Sequence, residues 1–294
     1  PDSELPDAVL AQALFERVDA GPLVSSFQKR SGASSAQTRL APTSILAVAS
    51  SAAAPQWAAT ADLGVLYNRQ RAEKFHTRTR IYLDPESGVT VEKAPLYSGV
   101  DADTGLQLKA YKEAWVAGET LHQQLLACAQ DESALLADIF EPARTWYQSL
   151  LSAARGGKLE GNMIDAIWQN SLLVKGTAVH IDLEWHWQQP VRPELVLMRA
   201  IYWFLSDLRT CSELPRKLRW RSTRRIMLEV GALLGVQLRA QDIEEFHAFE
   251  ARFNSAAFGR LHARSRRRIG LMLRLPQQLI KVLLWADGLA RRAR

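Results

Sequence analysis

The sequence predicts an α+β fold in a two-lobed arrangement, on three observations taken in chain order. Alternating apolar and polar residues between about 71 and 118 predict a small antiparallel sheet, and helical spacing from 119 onward predicts a helical lobe. Inside that helical region an irregular loop is followed at once by a compact hairpin. With 294 residues, 47% hydrophobic and 23% charged, the chain can bury a full core in one large domain or two smaller ones.

The elements follow in order. Residues 8–18 (AVLAQALFERV) have helical spacing, broken by Gly21, Pro22 and a Ser/Gly/Ala-rich linker around SGASSAQ. TSILAVAS predicts a short strand, and residues 1–70 as a whole read as an N-terminal segment that packs loosely or completes a missing neighbour. The chain starts with Pro, which suggests a piece of something longer. FHTRTRIYL and VTVEKAPL alternate on either side of DPESG, where Pro and Gly suit a turn, so a β-hairpin is expected. Period-two geometry places Val89, Val91 and Lys93 on one face and Glu92 on the other. LQLKAYKEAWV predicts a third strand, Gly118 ends it, and a helix starts in AGETLHQQLLACAQ. One long helix is expected over 133–153, closed by the glycines of ARGGKLEGN. MIDAIWQN is the irregular loop, and SLLV, a KGT turn and AVHID form the hairpin. Everything from Glu194 reads as helical, with VLMRAIYWFLSDL as a buried helix.

Composition narrows the function classes. No run of eighteen apolar residues appears, and PDSELPDAVL lacks the basic and apolar stretches of a signal peptide, so a cytoplasmic protein is expected. Cys128 and Cys211 lie in helix-like apolar segments and read as two buried thiols rather than a disulfide. The net charge is +6, yet Arg260–Arg294 holds ten Lys/Arg against one Asp, leaving the remainder net negative. A second basic cluster is PRKLRWRSTRR. Dinucleotide, Walker, nucleophile-elbow and zinc-finger spacings are all absent from the sequence, so a complete SAM-binding methyltransferase domain is not expected in these residues.

Phosphoryl transfer needs a carboxylate beside the attacking hydroxyl, oxygen ligands for Mg²⁺ and a cation on the nucleotide phosphates. GNMIDAIWQNSLLVKGTAVHIDLEW supplies Asp165, Asn170 five residues later, and Asp182 twelve residues beyond that, at the end of the second hairpin strand. This resembles the protein-kinase order of catalytic-loop Asp, metal-binding Asn, hairpin and metal-binding Asp. Lys93 in VEKAPL resembles the strand lysine of V-A-I-K, and WVAGETLHQQLL looks like the hinge and following helix of aminoglycoside and choline kinases. More narrowly, GNMIDAIWQN and HIDLEW, preceded by RLAPTSILAVAS and NRQRAEKFHTRTR, are similar to the kinase-like region of bacterial O-antigen chain-terminating methyltransferase-kinases.

That resemblance implies a protein-kinase-like fold, with an N-lobe over 71–118, a helical C-lobe over 119–258 and a basic amphipathic tail over 259–294. It implies an ATP- and Mg²⁺-dependent phosphotransferase acting on a glycan or lipid-linked polysaccharide, in which Asp165 takes the acceptor proton and Asn170 and Asp182 hold Mg²⁺. Lys93 would pair with the α/β-phosphates, Glu113 and Trp115 would lie at the nucleotide hinge, and Glu184 would assist near the metal. A methyltransferase domain is the implied neighbour. Several residues depart from the kinase pattern. ADLGVLYNRQRAEKFH has one glycine where the phosphate loop has three, the loop reads MID for HRD, and LEW stands where FG would follow Asp182. The 20 residues from Lys93 to Glu113 leave no room for a helix carrying a glutamate to orient Lys93. A non-catalytic kinase-like interaction module is therefore the alternative.

Other residues carry weaker signals. His180, Glu184 and His186 lack H-E-x-x-H spacing and alternate faces on a strand, which argues against zinc. Trp168, Trp185 and Trp187 suit sugar or base stacking, but core packing is the plainer role for at least two of them. The tail reads as a basic amphipathic helix broken near Pro276, suited to an anionic membrane surface or to a partner. Nucleic-acid binding ranks last, because the basic clusters flank apolar helices.

Overall fold

The computed structural model describes residues 45–46, 62–97, 99–210, 214–259 and 262–292, and within them the chain is α+β. The predicted helix at 8–18, the linker after it and Cys211 lie outside the described residues. The described chain falls into two units. One is built from residues up to Asn68 with Thr77–Ala94 and Tyr111–Ala117, the other from Arg69–His76, Pro95–Ala110 and Gly118 onward.

The first unit is an antiparallel sheet of five strands in the order β1-β2-β3-β4-β6: β1 (Ile45–Leu46), β2 (Asp62–Asn68), β3 (Thr77–Asp84), β4 (Gly88–Pro95) and β6 (Tyr111–Ala114). The predicted hairpin is β3–β4. Its turn closes because the Asp84 carboxylate accepts hydrogen bonds from the Glu86 and Ser87 amides at 3.0 and 3.1 Å, and Gly88 takes a φ of 74°. Val91 and Lys93 are buried on β4 and Glu92 is half-buried, but Val89 is half-buried and Thr90 is buried, so both faces of the strand are covered near its start. Two boundaries differ from the sequence expectation. The sheet begins before residue 71, since β2 is one of its inner strands, and LQLKAYKEAWV is two strands instead of one. Its first part, β5 (Leu106–Leu108), pairs in the second unit, while only Tyr111–Ala114 joins the sheet.

In the second unit β5 pairs antiparallel with β9 (Trp185–Trp187), and β7 (Ser171–Val174) pairs with β8 (Thr177–His180). Thr120 starts α1 (Leu121–Gln130) with a full capping box to Gln123. Cys128 on this helix is a free thiol and half-buried, more open than expected. The expected single helix over 133–153 is two, α2 (Leu136–Phe140) and α3 (Ala143–Ala153). Pro142 separates them because it has no amide to donate and its ring crowds the preceding turn. The central element is α4 (Pro193–Leu208), begun by a proline at its first turn and buried over most of its circumference. Around it lie α5 (Arg216–Arg219), α6 (Thr223–Leu233) and α7 (Ala240–Phe258), the last ended by Gly259 at a φ of 61°.

The expected tail is α8 (His262–Arg274) and α9 (Gln277–Arg292), broken at Pro276. It is not a separate appendage. Ile269, Met272, Leu273 and Ile280 join the core, and the buried Gln277 accepts from Arg209 at 2.6 Å and donates to Thr223 at 3.1 Å. No helix among the described residues is long and apolar enough to cross a membrane.

Phe140, Trp146, Trp168 and Phe204 form an aromatic cluster with neighbouring ring centroids 5.6–5.7 Å apart. Trp146 also donates its indole N–H to the Ala166 carbonyl at 2.9 Å, so this cluster carries the loop above it. Trp146→Phe removes the shorter of the two hydrogen bonds to that carbonyl, leaving only the Ser171 hydroxyl at 3.5 Å, and opens a small void, and should lower stability by about 2 kcal/mol. Urea unfolding of the two proteins measures this, and equal midpoints would remove the indole from the support of the loop.

Candidate functional site

The loop before the hairpin is fixed at both ends. Gly161 lies so close to β9 that a Cβ would sit 1.7 Å from the Trp187 carbonyl oxygen, and only glycine allows this approach. From there a short 3-10 turn, Gly161–Asp165, brings Asp165 to the buried end of the loop, and a second, Trp168–Asn170, leads into β7. The hairpin then returns over a two-residue turn, Lys175 and Gly176, whose φ values of 49° and 76° are the positive pair that a type I′ turn requires. The register Ser171↔His180 sets Asn170 opposite Ile181, and the Ile181 amide donates to the Asn170 carbonyl at 2.8 Å. Asp182 follows directly. A separation of twelve residues in sequence is closed by the ladder.

His180 locks the hairpin to the helices. Its Nδ1 lies 3.0 Å from the Ser171 hydroxyl and its Nε2 lies 3.3 Å from the Ser149 hydroxyl on α3. Both nitrogens are occupied inside the fold, which excludes His180 as a metal ligand. Burial lowers its pKa from 6.5 to about 4, so it stays neutral near pH 7.

Asp165 accepts from the Asn170 side-chain amide at 2.9 Å, and the same NH₂ group donates to the Asp165 carbonyl at 3.0 Å. These bonds orient the Asn170 amide, and its Oδ1 accepts from no described residue. Below them is the buried Arg199 of α4. Its guanidinium donates to the Ile164 carbonyl at 2.8 Å, lies 3.6 Å from Asp165 Oδ1, and donates through Nε to Glu250 of α7 at 2.9 Å. Glu250 accepts in turn from Asn254 at 2.8 Å.

Asp182 has a φ of 57°, the left-handed region that Asp tolerates better than most residues. Its carbonyl accepts from the Glu184 amide at 2.9 Å, the Glu184 carbonyl accepts from the Lys109 amide at 2.9 Å, and the Ile181 amide before it donates to Asn170, so the unusual backbone is pinned on both sides. The buried Glu184 carboxylate pairs with Arg71, whose guanidinium carbon lies 4.6 Å from the centre of the Trp185 ring. Burial alone would lower the Arg71 pKa, but the charge and hydrogen bond of Glu184, with Asp182 and Asp165 behind them, leave it raised.

Asp165 itself is raised from 3.8 to about 6. Burial is the main cause; Arg199 opposes it, Asp182 and Glu184 add to it, and Arg71 opposes it again. The site is thus acid-rich, with Asp165, Asp182, Glu184 and Glu250 against Arg71 and Arg199. Among the described residues no group of three or more His, Cys, Asp or Glu is arranged to hold a metal ion. The oxygen donors at hand are instead the Asp182 carboxylate and the Asn170 Oδ1, hard ligands of the kind Mg²⁺ prefers.

Asp165, Asn170 and Asp182 therefore come together in the second unit, with Glu184 beside them. Lys93, Glu113 and Trp115 belong to the first unit. Lys93 is buried opposite Tyr111 on β6, its ammonium 5.7 Å from that ring, and Glu113 is paired with Val91. The Trp115 amide donates to the Val89 carbonyl at 2.7 Å. Trp168, Trp185 and Trp187 are all buried, so all three are core residues. Sequence reasoning missed Arg71, Arg199 and Glu250. The available signal was a charged residue inside an otherwise apolar helical face, which Arg199 in VLMRAIYWFL is.

No family model, curated protein or solved structure matches the chain.

A carboxyl raised above its unfolded value of 3.8 costs the fold stability, fully above about pH 6 and not at all below about pH 4. Asp165→Asn should consequently melt higher than the wild type at pH 7, by the equivalent of about 2 kcal/mol, with the gain shrinking towards pH 4. A variant less stable at every pH would show that Asp165 is a favourable ion-pair partner. His180 has the opposite sign: its lowered pKa gives stability that is present above 6.5 and lost as pH falls towards 4. In the Asp165→Asn background, stability should fall by on the order of 3 kcal/mol across that window, and adding His180→Gln should flatten the slope. An unchanged slope would mean that His180 titrates as it does in solution.

Proposed function

We propose that the chain is an ATP- and Mg²⁺-dependent phosphotransferase of protein-kinase-like, two-lobed fold, acting on a hydroxyl of a glycan or other small acceptor in bacterial surface-polysaccharide assembly. The observation that carries the reading is the hydrogen-bonded pair of Asp165 and Asn170, placed by the hairpin beside Asp182. A carboxyl with a pKa of about 6 is suited to take a proton near neutral pH. Asp165 would orient the acceptor hydroxyl and accept its proton, held in place by Asn170 and Arg199. Asp182 and the Asn170 Oδ1 would hold Mg²⁺, which when bound would neutralise charge on the phosphates. Lys93, with Glu113 and Trp115, retains the nucleotide role that the resemblance implies. The O-antigen context, the neighbouring methyltransferase and a place at the inner face of the membrane rest on that resemblance and on the basic helices.

The second reading, a non-catalytic kinase-like module, is favoured by the departures from the kinase pattern: one glycine in ADLGVLYNRQRAEKFH where the phosphate loop has three, and no room between Lys93 and Glu113 for a helix carrying a glutamate to orient Lys93.

Calorimetric titration of ATP with Mg²⁺ separates the two. The wild type should bind, and Asp182→Asn should lose the Mg²⁺-dependent part of that binding. Asp165→Asn should keep binding while turnover with an added hydroxyl acceptor falls by about 10²–10⁴-fold. A folded wild type that binds no nucleotide would establish the non-catalytic reading.

A further inference from the structure

Between α7 and α8 lies an open hollow of about 420 Å³, lined by His247, Arg266, Arg267, Gly270, Leu271 and Arg274. Its polar character is one-sided. Arg266, Arg267 and Arg274 are among its lining residues, no Asp or Glu is among the described ones, and none of the three arginines forms an ion pair with a described residue. Elsewhere in this unit arginines are matched: Arg192 with Asp242 and Glu245, Arg199 with Glu250, and Arg221 and Arg225 with Glu229.

The spacing places two of these arginines side by side. Positions 267, 271 and 274 follow each other at helical intervals of four and three, so Arg267, Leu271 and Arg274 form one stripe of α8. The back of the hollow is preorganised. His247 Nε2 is 2.7 Å from the Arg266 carbonyl, so that nitrogen carries the proton, and Nδ1 lies 3.7 Å from Glu244. Gly270 lets the His247 ring lie against α8, for a Cβ there would be 3.2 Å from the ring. Glycine inside a helix costs stability relative to alanine, so this close packing offsets a real penalty.

Arginines set close together on one helix without counter-ions repel one another, and an anion with several oxygens relieves that repulsion while filling the donor forks of more than one arginine. We propose that this hollow is a binding site for a phosphate-bearing anion, of the diphosphate or phosphomonoester class. The volume accommodates a group of that size. The half-exposed Leu271 on the rim gives an apolar neighbour to a ligand that carries its phosphate on a hydrocarbon chain. A soluble diphosphate and a lipid phosphate headgroup share the recognised chemistry.

The test uses the full chain and the Arg267→Gln/Arg274→Gln variant, both exposed positions whose replacement leaves the core untouched. Pyrophosphate titrated by calorimetry is one arm, and co-sedimentation with phosphatidylcholine vesicles with and without phosphatidic acid is the other. The wild type should bind in at least one arm, and the variant should bind about tenfold or more weakly there. Both arms are run with EDTA and no Mg²⁺, so the proposed Mg²⁺-dependent nucleotide site does not contribute. Binding of pyrophosphate alone identifies a soluble ligand, and binding of phosphatidic acid vesicles identifies a lipid headgroup. No binding in either arm, or equal binding by wild type and arginine variant, overturns the proposal.

Discussion

The buried Arg199 is the constraint on which the second unit depends. A guanidinium taken out of water is costly unless its charge and its donors are matched, and here one side chain is satisfied by a carboxylate from α7, a carbonyl from the loop and the face of an aromatic ring. The Arg199 guanidinium carbon is 4.2 Å from the Phe253 ring centre, Phe253 meets Trp185 at 5.3 Å, and Trp185 faces Arg71 at 4.6 Å. Two cations thus bracket two rings. Their carboxylate partners, Glu250 and Glu184, come from α7 and from the segment before β9. The central helix, the loop with Asp165 and the segment after the hairpin are all held by this one stack.

The arrangement also accounts for the electrostatics. Glu250 takes the nearest Arg199 nitrogen at 2.9 Å, while Asp165 is left at 3.6 Å from the guanidinium. Had the pairing been reversed, Asp165 would be an ordinary ion-pair carboxylate. Instead burial dominates and its proton affinity rises into the physiological range. The support of the loop and the tuning of its acid are the same interaction seen from two sides.

Much of this was legible in the sequence, where local geometry decides the outcome. The KGT turn and its flanking alternation give the β7–β8 hairpin, and from the hairpin follows the meeting of Asn170 and Asp182, because a ladder leaves no freedom in which residues face each other. The DPESG turn is read as easily, since one carboxylate caps two amides. Long-range choices were not legible. Nothing local tells that Leu106–Leu108 pairs with residues near 186 while Tyr111–Ala114 pairs with β4, as both stretches alternate alike. The helical spacing on both sides of Pro142 reads as continuous, so the break there was not foreseen. Arg71 and Glu250 lie 113 and 51 residues from their partners, Glu184 and Arg199, and only tertiary packing joins them.

The I′ turn has a consequence for how this chain tolerates change in length. Asn170 and Asp182 sit at the base of the hairpin, and Lys175 and Gly176 form its tip. Adding one residue to each strand lengthens the ladder by a pair and moves the tip outward, yet the base stays where His180 and Ser171 clamp it. A single residue inserted in one strand does the reverse, turning every side chain beyond it to the opposite face. The base is intolerant of changes in one strand alone and indifferent to changes matched in both. The hairpin is in that sense an adjustable spar with a fixed foot, able to change length at its tip without disturbing the carboxylates it brings together.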